Sequence, residues 1–142
     1  MKIRTISPPV DFSAWPELLR VLIPEDTDEA RIVLMKGSYS EQDDVVRVIE
    51  SEPPGQVAGF VRYKRMEGFA HIMDVVVHPS QQGNGYVRLL MNDAAERCRE
   101  EGFGKVMSRT FTDNRASIAL HKACGYQEAF RKDDSIVWEL FL

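Results

Sequence analysis

Apolar and polar residues repeat with two different periods along this chain, and the changes of period mark its elements. Alternating or continuous runs rich in β-branched residues predict seven strands. They cover residues 2–7, 44–50, 56–65, 69–77, 105–111, 126–131 and 135–141. Turn-forming segments at 52–55, 67–68 and 132–134 join neighbouring strands, which are therefore expected to pair antiparallel.

Helical spacing of apolar residues predicts four helices. Two lie near the N-terminus, at residues 11 to about 22 and at 25–37. A long third helix runs from near Asn84 to a stop at Gly102, and a short fourth one occupies 114–125 with Asn114 as its N-cap. One apolar stripe runs along the third helix and is formed by Val87, Leu90, Met91, Ala94, Ala95 and Cys98. We expect a mixed sheet with helices packed on its faces.

The segment between the strand at 69–77 and the long helix carries the most specific chemical signal. A strand that turns directly into a helix presents free backbone N–H groups and the positive end of the helix dipole to an anion. Gly83 and Gly85 let the chain turn tightly and let a phosphate approach the amides. A P-loop is excluded because Tyr86 and Val87 follow the last glycine, and a dinucleotide fingerprint is excluded because position 88 is Arg.

Two motifs resemble those of the GCN5-related N-acetyltransferase (GNAT) superfamily. The first is the cofactor motif Q/R-x-x-G-x-G/A, which matches residues 82–87. The second is an Asn followed by an apolar helix, an aromatic residue and Gly-Tyr, which matches residues 114–126. The resemblance covers about residues 45–131, and the two motifs in this order are more specific together than either alone.

The resemblance implies an α+β fold with a mixed, mostly antiparallel sheet of six to seven strands and about four helices. The strands ending near Val77 and Phe111 would splay apart and admit the pantetheine arm of acetyl-CoA. The implied cofactor-binding residues are Val75, Val76, Val77, Gln82, Gly83, Asn84, Gly85, Tyr86, Val87, Asn114 and His121. Val87 departs from the family pattern of Gly or Ala; its side chain either crowds the cofactor or fills core space at the head of the apolar stripe.

The implied reaction is transfer of an acetyl group from the thioester to an amine. An alkyl ammonium has a pKa of ~10.4, so a base or an ordered water must first remove a proton. His71 and Asp74 are the candidate bases, and a backbone amide between Val75 and Val77 is the candidate donor to the oxyanion. His121 stands where many relatives have a Tyr that protonates the leaving thiolate; otherwise it is a histidine hydrogen-bonded at a helix end.

Strand alternation places His71, Met73, Val75 and Val77 on one face and Ile72, Asp74 and Val76 on the other, unless a bulge reverses the register. The sequence says less about which amine is the acceptor substrate than about the cofactor. Residues 25–29 are acidic and either attract a cationic amine or cap the second helix. The expected function is N-acetylation of a small-molecule amine or a protein amino group in a ternary complex. The alternative is an acyl-CoA-binding module with little activity.

Composition and charge limit the remaining classes of protein. The chain has 142 residues, 44% of them hydrophobic, which suits a single domain at 1–142, and its net charge is −4. We expect no membrane span, no nucleic-acid partner, no metal and no secretion signal, and therefore a cytoplasmic protein. Cys98 and Cys124 are expected to be reduced. Relatives are often dimers, which makes a homodimer an expectation.

Overall fold

The described residues form one seven-stranded sheet with helices against it. The computed structural model describes residues 2–6, 40, 42–50 and 57–142. The strands are β1 (Lys2–Thr5), β2 (Asp44–Glu50), β3 (Val57–Arg65), β4 (Ala70–Val77), β5 (Lys105–Phe111), β6 (Gln127–Lys132) and β7 (Ser135–Phe141). The helices in this part of the chain are α1 (Tyr86–Glu100), α2 (Arg115–Ala123) and a 3₁₀ turn at Pro79–Gln81. The predicted helices at 11–22 and 25–37, the turn at 52–55 and the acidic segment 25–29 lie outside the described residues.

The order of strands in the sheet is β1-β2-β3-β4-β5-β7-β6. Every neighbouring pair is antiparallel except β4 and β5, which are parallel. These two strands pair only where they begin, through Ala70 with Val106 and His71 with Met107. Beyond His71 they separate, which confirms the predicted splay of the strands that end at Val77 and Phe111.

A bulge in β4 determines which side chains share a face. Arg62 of β3 pairs with Asp74, whereas the next residue, Tyr63, pairs with Ile72, so Met73 is the extra residue. Ile72 and Val77 consequently belong to the same core cluster although five positions separate them, and Val76 belongs to the cluster on the opposite face. The uninterrupted alternation that grouped His71 with Val75 and Val77 is therefore wrong. His71, Asp74 and Val76 share a face.

Helix α1 packs its predicted stripe on the sheet. Leu90, Met91, Ala94, Ala95 and Cys98 are buried, as the spacing predicts. The helix begins at Tyr86 rather than near Asn84, because Gly85 has a left-handed conformation with φ of 77°.

The polar side of α1 is also anchored. The Arg47 guanidinium of β2 donates from Nε to the Asp93 carboxylate at 2.8 Å, and both side chains are mostly buried. This ion pair fixes the helix across the sheet.

The smaller elements follow the sequence prediction closely. Helix α2 begins after Asn114, whose Oδ1 accepts a hydrogen bond from the Ser117 N–H at 3.1 Å, as a helix N-cap does. Cys98 and Cys124 are free thiols, as expected. No helix in the described part of the chain is long and apolar enough to cross a membrane.

Candidate active site

The loop between β4 and α1 leaves open space in front of the helix. Gly83 and Gly85 have φ of 87° and 77°, the left-handed region that favours glycine. A Cβ built at either position would meet no atom within 4 Å. The glycines are therefore required by the backbone turn, and the space that their missing side chains leave is free for a ligand.

The N-terminus of α1 is suited to an anion. Its N-cap is Gly85, which has no side chain to accept hydrogen bonds from the first turn, and that turn carries no acidic residue. It does carry Arg88, a cation at the end of a helix where the dipole disfavours cations. Uncapped amides and a guanidinium together form a site for phosphate.

A cavity of about 340 Å³ lies at this helix end. Gln82 helps to shape it, since its Nε2 donates to the Val77 carbonyl at 3.2 Å and ties the loop to the end of β4. No carboxylate is among the described residues that line it, which are Val77, Gln81, Gln82, Gly83, Gly85, Tyr86, Val87, Arg88 and Leu120. Six of the predicted cofactor residues thus meet at one cavity whose chemistry fits the pyrophosphate of coenzyme A.

The other predicted cofactor residues lie around this cavity without lining it. Asn84 is in the loop and donates from Nδ2 to the Gln81 carbonyl at 3.3 Å. Val75 is partly buried against the main core cluster, and the Val76 side chain is buried on the opposite face of the sheet. The Asn114 side chain caps α2. Any contact of these four residues with the cofactor stays a prediction, and for Val76 it would have to be through the backbone.

Val87 fills core space and also borders the cavity. It is partly buried and packs against the main core cluster, and it also lines the 340 Å³ cavity. The cavity therefore exists with the valine in place, which favours the core-filling interpretation.

His121 has an enclosed environment. It is 3% exposed, its Nδ1 lies 2.7 Å from the Ser117 carbonyl, and its Nε2 lies 2.8 Å from Ser108 Oγ. A carbonyl only accepts, so Nδ1 carries the proton, and in the neutral ring Nε2 accepts from the Ser108 hydroxyl. The ring also stacks on Trp138, with centroids 5.5 Å apart.

Burial lowers the pKa of His121, and its hydrogen bond to the Ser117 carbonyl only partly opposes this effect. The imidazolium that would protonate a thiolate at neutral pH is therefore disfavoured. His121 does not line the 340 Å³ cavity. The geometry favours the structural alternative, in which His121 holds α2 against β5.

A second cavity, of about 390 Å³, lies where β4 and β5 separate. It contains the bulge of β4, and the exposed side chains of Met73 and Phe111 give it apolar walls. The residues that line it are His71, Ile72, Met73, Arg109, Thr110 and Phe111. One predicted base, His71, is therefore in a cavity beside the splayed strands.

His71 is electrostatically suited to accept a proton. Burial lowers its pKa, the positive charge of Arg109 acts in the same direction, and a backbone contact with Ile72 opposes both. The ring is therefore neutral at neutral pH. Its Nδ1 atom is buried, so Nε2 is the ring nitrogen that an amine substrate can reach.

The Asp74 carboxylate forms an ion pair with an arginine. Its carboxylate lies 3.0 Å from Arg62 Nη2, and both side chains are largely buried. Burial raises the pKa of Asp74, while Arg62 lowers it. Asp74 does not line the 390 Å³ cavity. This ion pair favours a structural role for the residue.

Sequence reasoning missed several residues of these cavities. Leu120 and Arg109 come from elements distant in the chain, and their proximity depends on tertiary packing. Arg88 carried a usable signal, because a basic residue in the first turn of a helix indicates an anion nearby. Within the described residues, no group of three metal-ligating side chains occurs.

Comparison with known proteins identifies the family of the chain. A sequence model of the acetyltransferase (GNAT) family matches residues 11–126. The chain therefore belongs to the GNAT family, whose members are acetyl-CoA-dependent N-acetyltransferases.

Individual curated relatives have low sequence identity to this chain. The L-amino acid N-acyltransferase MnaT of Escherichia coli (strain K12) is 31% identical over 84 residues, which are 56% of this chain and 49% of the relative. The chain spans about half the length of the curated relatives that it matches.

Solved structures share the fold over the whole chain. The aminoglycoside 6'-N-acetyltransferase from Enterococcus faecium has a TM-score of 0.81 at 15% identity, over 99% of this chain and 97% of its own. The PaiA N-acetyltransferase from Thermoplasma acidophilum, solved in complex with coenzyme A, has a TM-score of 0.72 at 11% identity, over 100% of both chains.

Proposed function

We propose that this protein transfers the acetyl group of acetyl-CoA to a primary amine by direct attack in a ternary complex. The observation that carries the proposal is the pair of cavities along β4. One lies at the glycine loop beyond Val77, and the other lies at His71, where β5 diverges. Two reactants could thus meet at the separated strands from two directions.

The residues of the 340 Å³ cavity would hold the pyrophosphate. The first-turn amides of α1 and Arg88 supply donors, while Gly83 and Gly85 keep the approach open. Residues 72–77 of β4 have no strand partner on the β5 side among the described residues, so their backbone groups are available to the pantetheine arm. A backbone amide of Val75 to Val77 is the proposed donor to the oxyanion.

The chemistry that follows needs a base for the proton of the amine and a proton for the leaving thiolate, which the surrounding water can supply. Acetyl-CoA supplies the acetyl group as a thioester, and transfer forms a C–N bond as the C–S bond breaks. His71 accepts a proton from the bound ammonium, which frees the lone pair of the amine for attack, because the ring is neutral at neutral pH and borders the cavity.

A small-molecule acceptor is favoured over a protein amino group. The cavity volume of about 390 Å³ is near the lower end of the usual range for ligand pockets, roughly 300–1,000 Å³. The name of MnaT also describes N-acylation of L-amino acids. We propose a cytoplasmic location, where the thiols of Cys98 and Cys124 stay reduced. The homodimer and the single domain at 1–142 stay predictions.

Substitution of Gly85 tests the cofactor site. Gly85→Ala places a Cβ in the space at the helix N-terminus and should weaken CoA binding at least about tenfold, measured by isothermal titration calorimetry. Gly68→Ala is the matched control: Gly68 has φ of 84° and equally open surroundings, but it lies in the β3–β4 turn. Both variants carry the same backbone strain. Equal CoA affinity in the two variants would exclude the proposed phosphate site.

A further inference from the structure

The cavity beside His71 carries one permanent positive charge and no negative one among its described lining residues. Arg109 supplies the charge from β5, and its side chain is exposed. Within residues 2–6, 40, 42–50 and 57–142 the Arg109 side chain has no ion pair or hydrogen bond. The other basic residue of this wall, His71, is neutral at neutral pH for the reasons given above. A cation that has no partner in the described part of the chain therefore borders the place where the acceptor would bind.

The sheet register places Arg109 on the same side as the proposed base. Arg109 pairs with Val137, whereas its neighbours Ser108 and Thr110 face the α1 side, where they bond to His121 and Trp138. Arg109 therefore points to the opposite face, which is also the face of His71. Its charge lowers the pKa of His71, so the two side chains are within electrostatic reach of each other.

Apart from Thr110, the other described residues of this wall are apolar. Met73 is 42% exposed and Phe111 is 53% exposed, a large exposure for such side chains. Met73 is at the bulge of β4, which turns it away from the core. The wall thus combines a cation, a neutral base and an apolar surface within about 390 Å³.

We propose that this cavity selects amines that also carry a carboxylate, as free α-amino acids with apolar side chains do, and that Arg109 binds that carboxylate. The inference rests on the proposed acetyltransferase function and deepens it. A guanidinium binds a carboxylate through two parallel hydrogen bonds, which orients the molecule as well as holding it. The amino group of the same molecule is then directed to His71, and the side chain contacts Met73 and Phe111. Polyamines lack the carboxylate and are repelled by Arg109.

Matched acceptors test this selection. The probes are L-leucine, L-leucinamide and 3-methylbutylamine, which share a side chain and differ at the carboxylate, with spermidine as the polycation. Release of CoA thiol gives kcat/KM for each. L-leucine should exceed 3-methylbutylamine by at least about tenfold, because loss of a hydrogen-bonded charged group costs that much. A preference for spermidine or 3-methylbutylamine would overturn the inference.

Variants assign the selection to Arg109. Arg109→Gln should reduce the ratio of kcat/KM for L-leucine over 3-methylbutylamine to within about threefold, and Arg109→Lys should retain part of it. The control is Arg131→Gln, an exposed arginine of β6 that pairs with the buried Ile136 and so lies on the opposite face. It should keep the wild-type ratio.

The outcomes separate the two proposals. If all three leucine-derived amines are acetylated equally, or if Arg109→Gln keeps the ratio, the acceptor inference fails and the acetyltransferase function stands. If CoA binds and no amine is acetylated, the function fails and the inference fails with it.

Discussion

The three histidines of this chain have three different environments. His71 borders a cavity, His121 is enclosed by Ser108, Ser117 and Trp138, and His78 accepts from the Ser80 N–H at 3.1 Å in the 3₁₀ turn. Because all three are histidines, the sequence distinguishes them only by their motifs. The motif at residues 114–126 favoured His121. Burial and hydrogen bonding reverse that order and favour His71 as the group that exchanges a proton.

His71→Gln should lower kcat by about 100-fold, the usual contribution of a general base. In the wild type, kcat/KM should fall as the pH falls through the pKa of His71, because protonation removes the base. This limb should lie below pH 6.5, the ordinary pKa, since burial lowers it. The limb should vanish in His71→Gln, as measured by initial rates of thiol release from pH 5 to 8.

Asp74→Asn separates the two candidate bases. The substitution removes the charge that pairs with Arg62 but leaves the 390 Å³ cavity wall intact. It should keep the low-pH limb of the profile, even where it reduces stability. Retention of that limb in His71→Gln together with its loss in Asp74→Asn would assign the base to Asp74 instead.

His121→Gln should act on stability. The variant loses the stacking on Trp138 and disturbs two hydrogen bonds, at a cost of about 1–3 kcal/mol in the free energy of unfolding. Because folding lowers the pKa of His121, the unfolded chain binds more protons as the pH falls below about 6.5, and the wild type loses stability there. Urea unfolding at pH 5.5 and 7.5 should show a smaller pH effect in the variant. An unchanged unfolding free energy with a large loss of kcat would restore the catalytic role.

At the scale of elements, the sequence predicted the strands and helices in the described region to within a few residues. The predictions rested on strong local patterns: β-branched runs, the α1 stripe, the Asn114 cap and the glycine turn. The bulge at Met73 has no such pattern, because an extra residue in a strand becomes visible only from the pairing of Tyr63 with Ile72 and Arg62 with Asp74. That one residue moves His71 and Val75 to different faces.

Gly59 tests the packing of β3 against β4 at the end of the splayed strand. A Cβ at this position would lie 2.4 Å from the Val76 carbonyl oxygen and 3.0 Å from the Val77 Cα, both in the backbone. Gly59→Ala should therefore reduce the unfolding free energy by about 1–3 kcal/mol, through overpacking that side chains cannot relieve. Thermal unfolding followed by circular dichroism measures it.

Gly104→Ala is the matched control for this substitution. A Cβ there would meet nothing within 4 Å, and the residue precedes β5 without a left-handed conformation. Its unfolding free energy should stay within about 0.5 kcal/mol of the wild type. Equal destabilisation of both variants would contradict the close approach of β3 and β4.

At the scale of the whole molecule, the sequence predicted the fold family and the glycine turn before α1 but not the walls of the cavities. The loop is a continuous segment, so its chemistry is visible in one line of sequence. Arg109 and Met73 are 36 positions apart and meet only because β4 and β5 are neighbours that separate. The walls of the acceptor cavity can therefore be predicted only when the sheet order and the bulge in β4 are known.

Initial-rate kinetics of CoA thiol release, with acetyl-CoA and L-leucine both varied, test the central claim most directly. Direct attack in a ternary complex predicts turnover that depends on both reactants, with double-reciprocal lines that intersect. Parallel lines would indicate a covalent acetyl-enzyme and contradict direct attack. Saturable CoA binding without thiol release on any amine would contradict the proposed activity and indicate an acyl-CoA-binding module.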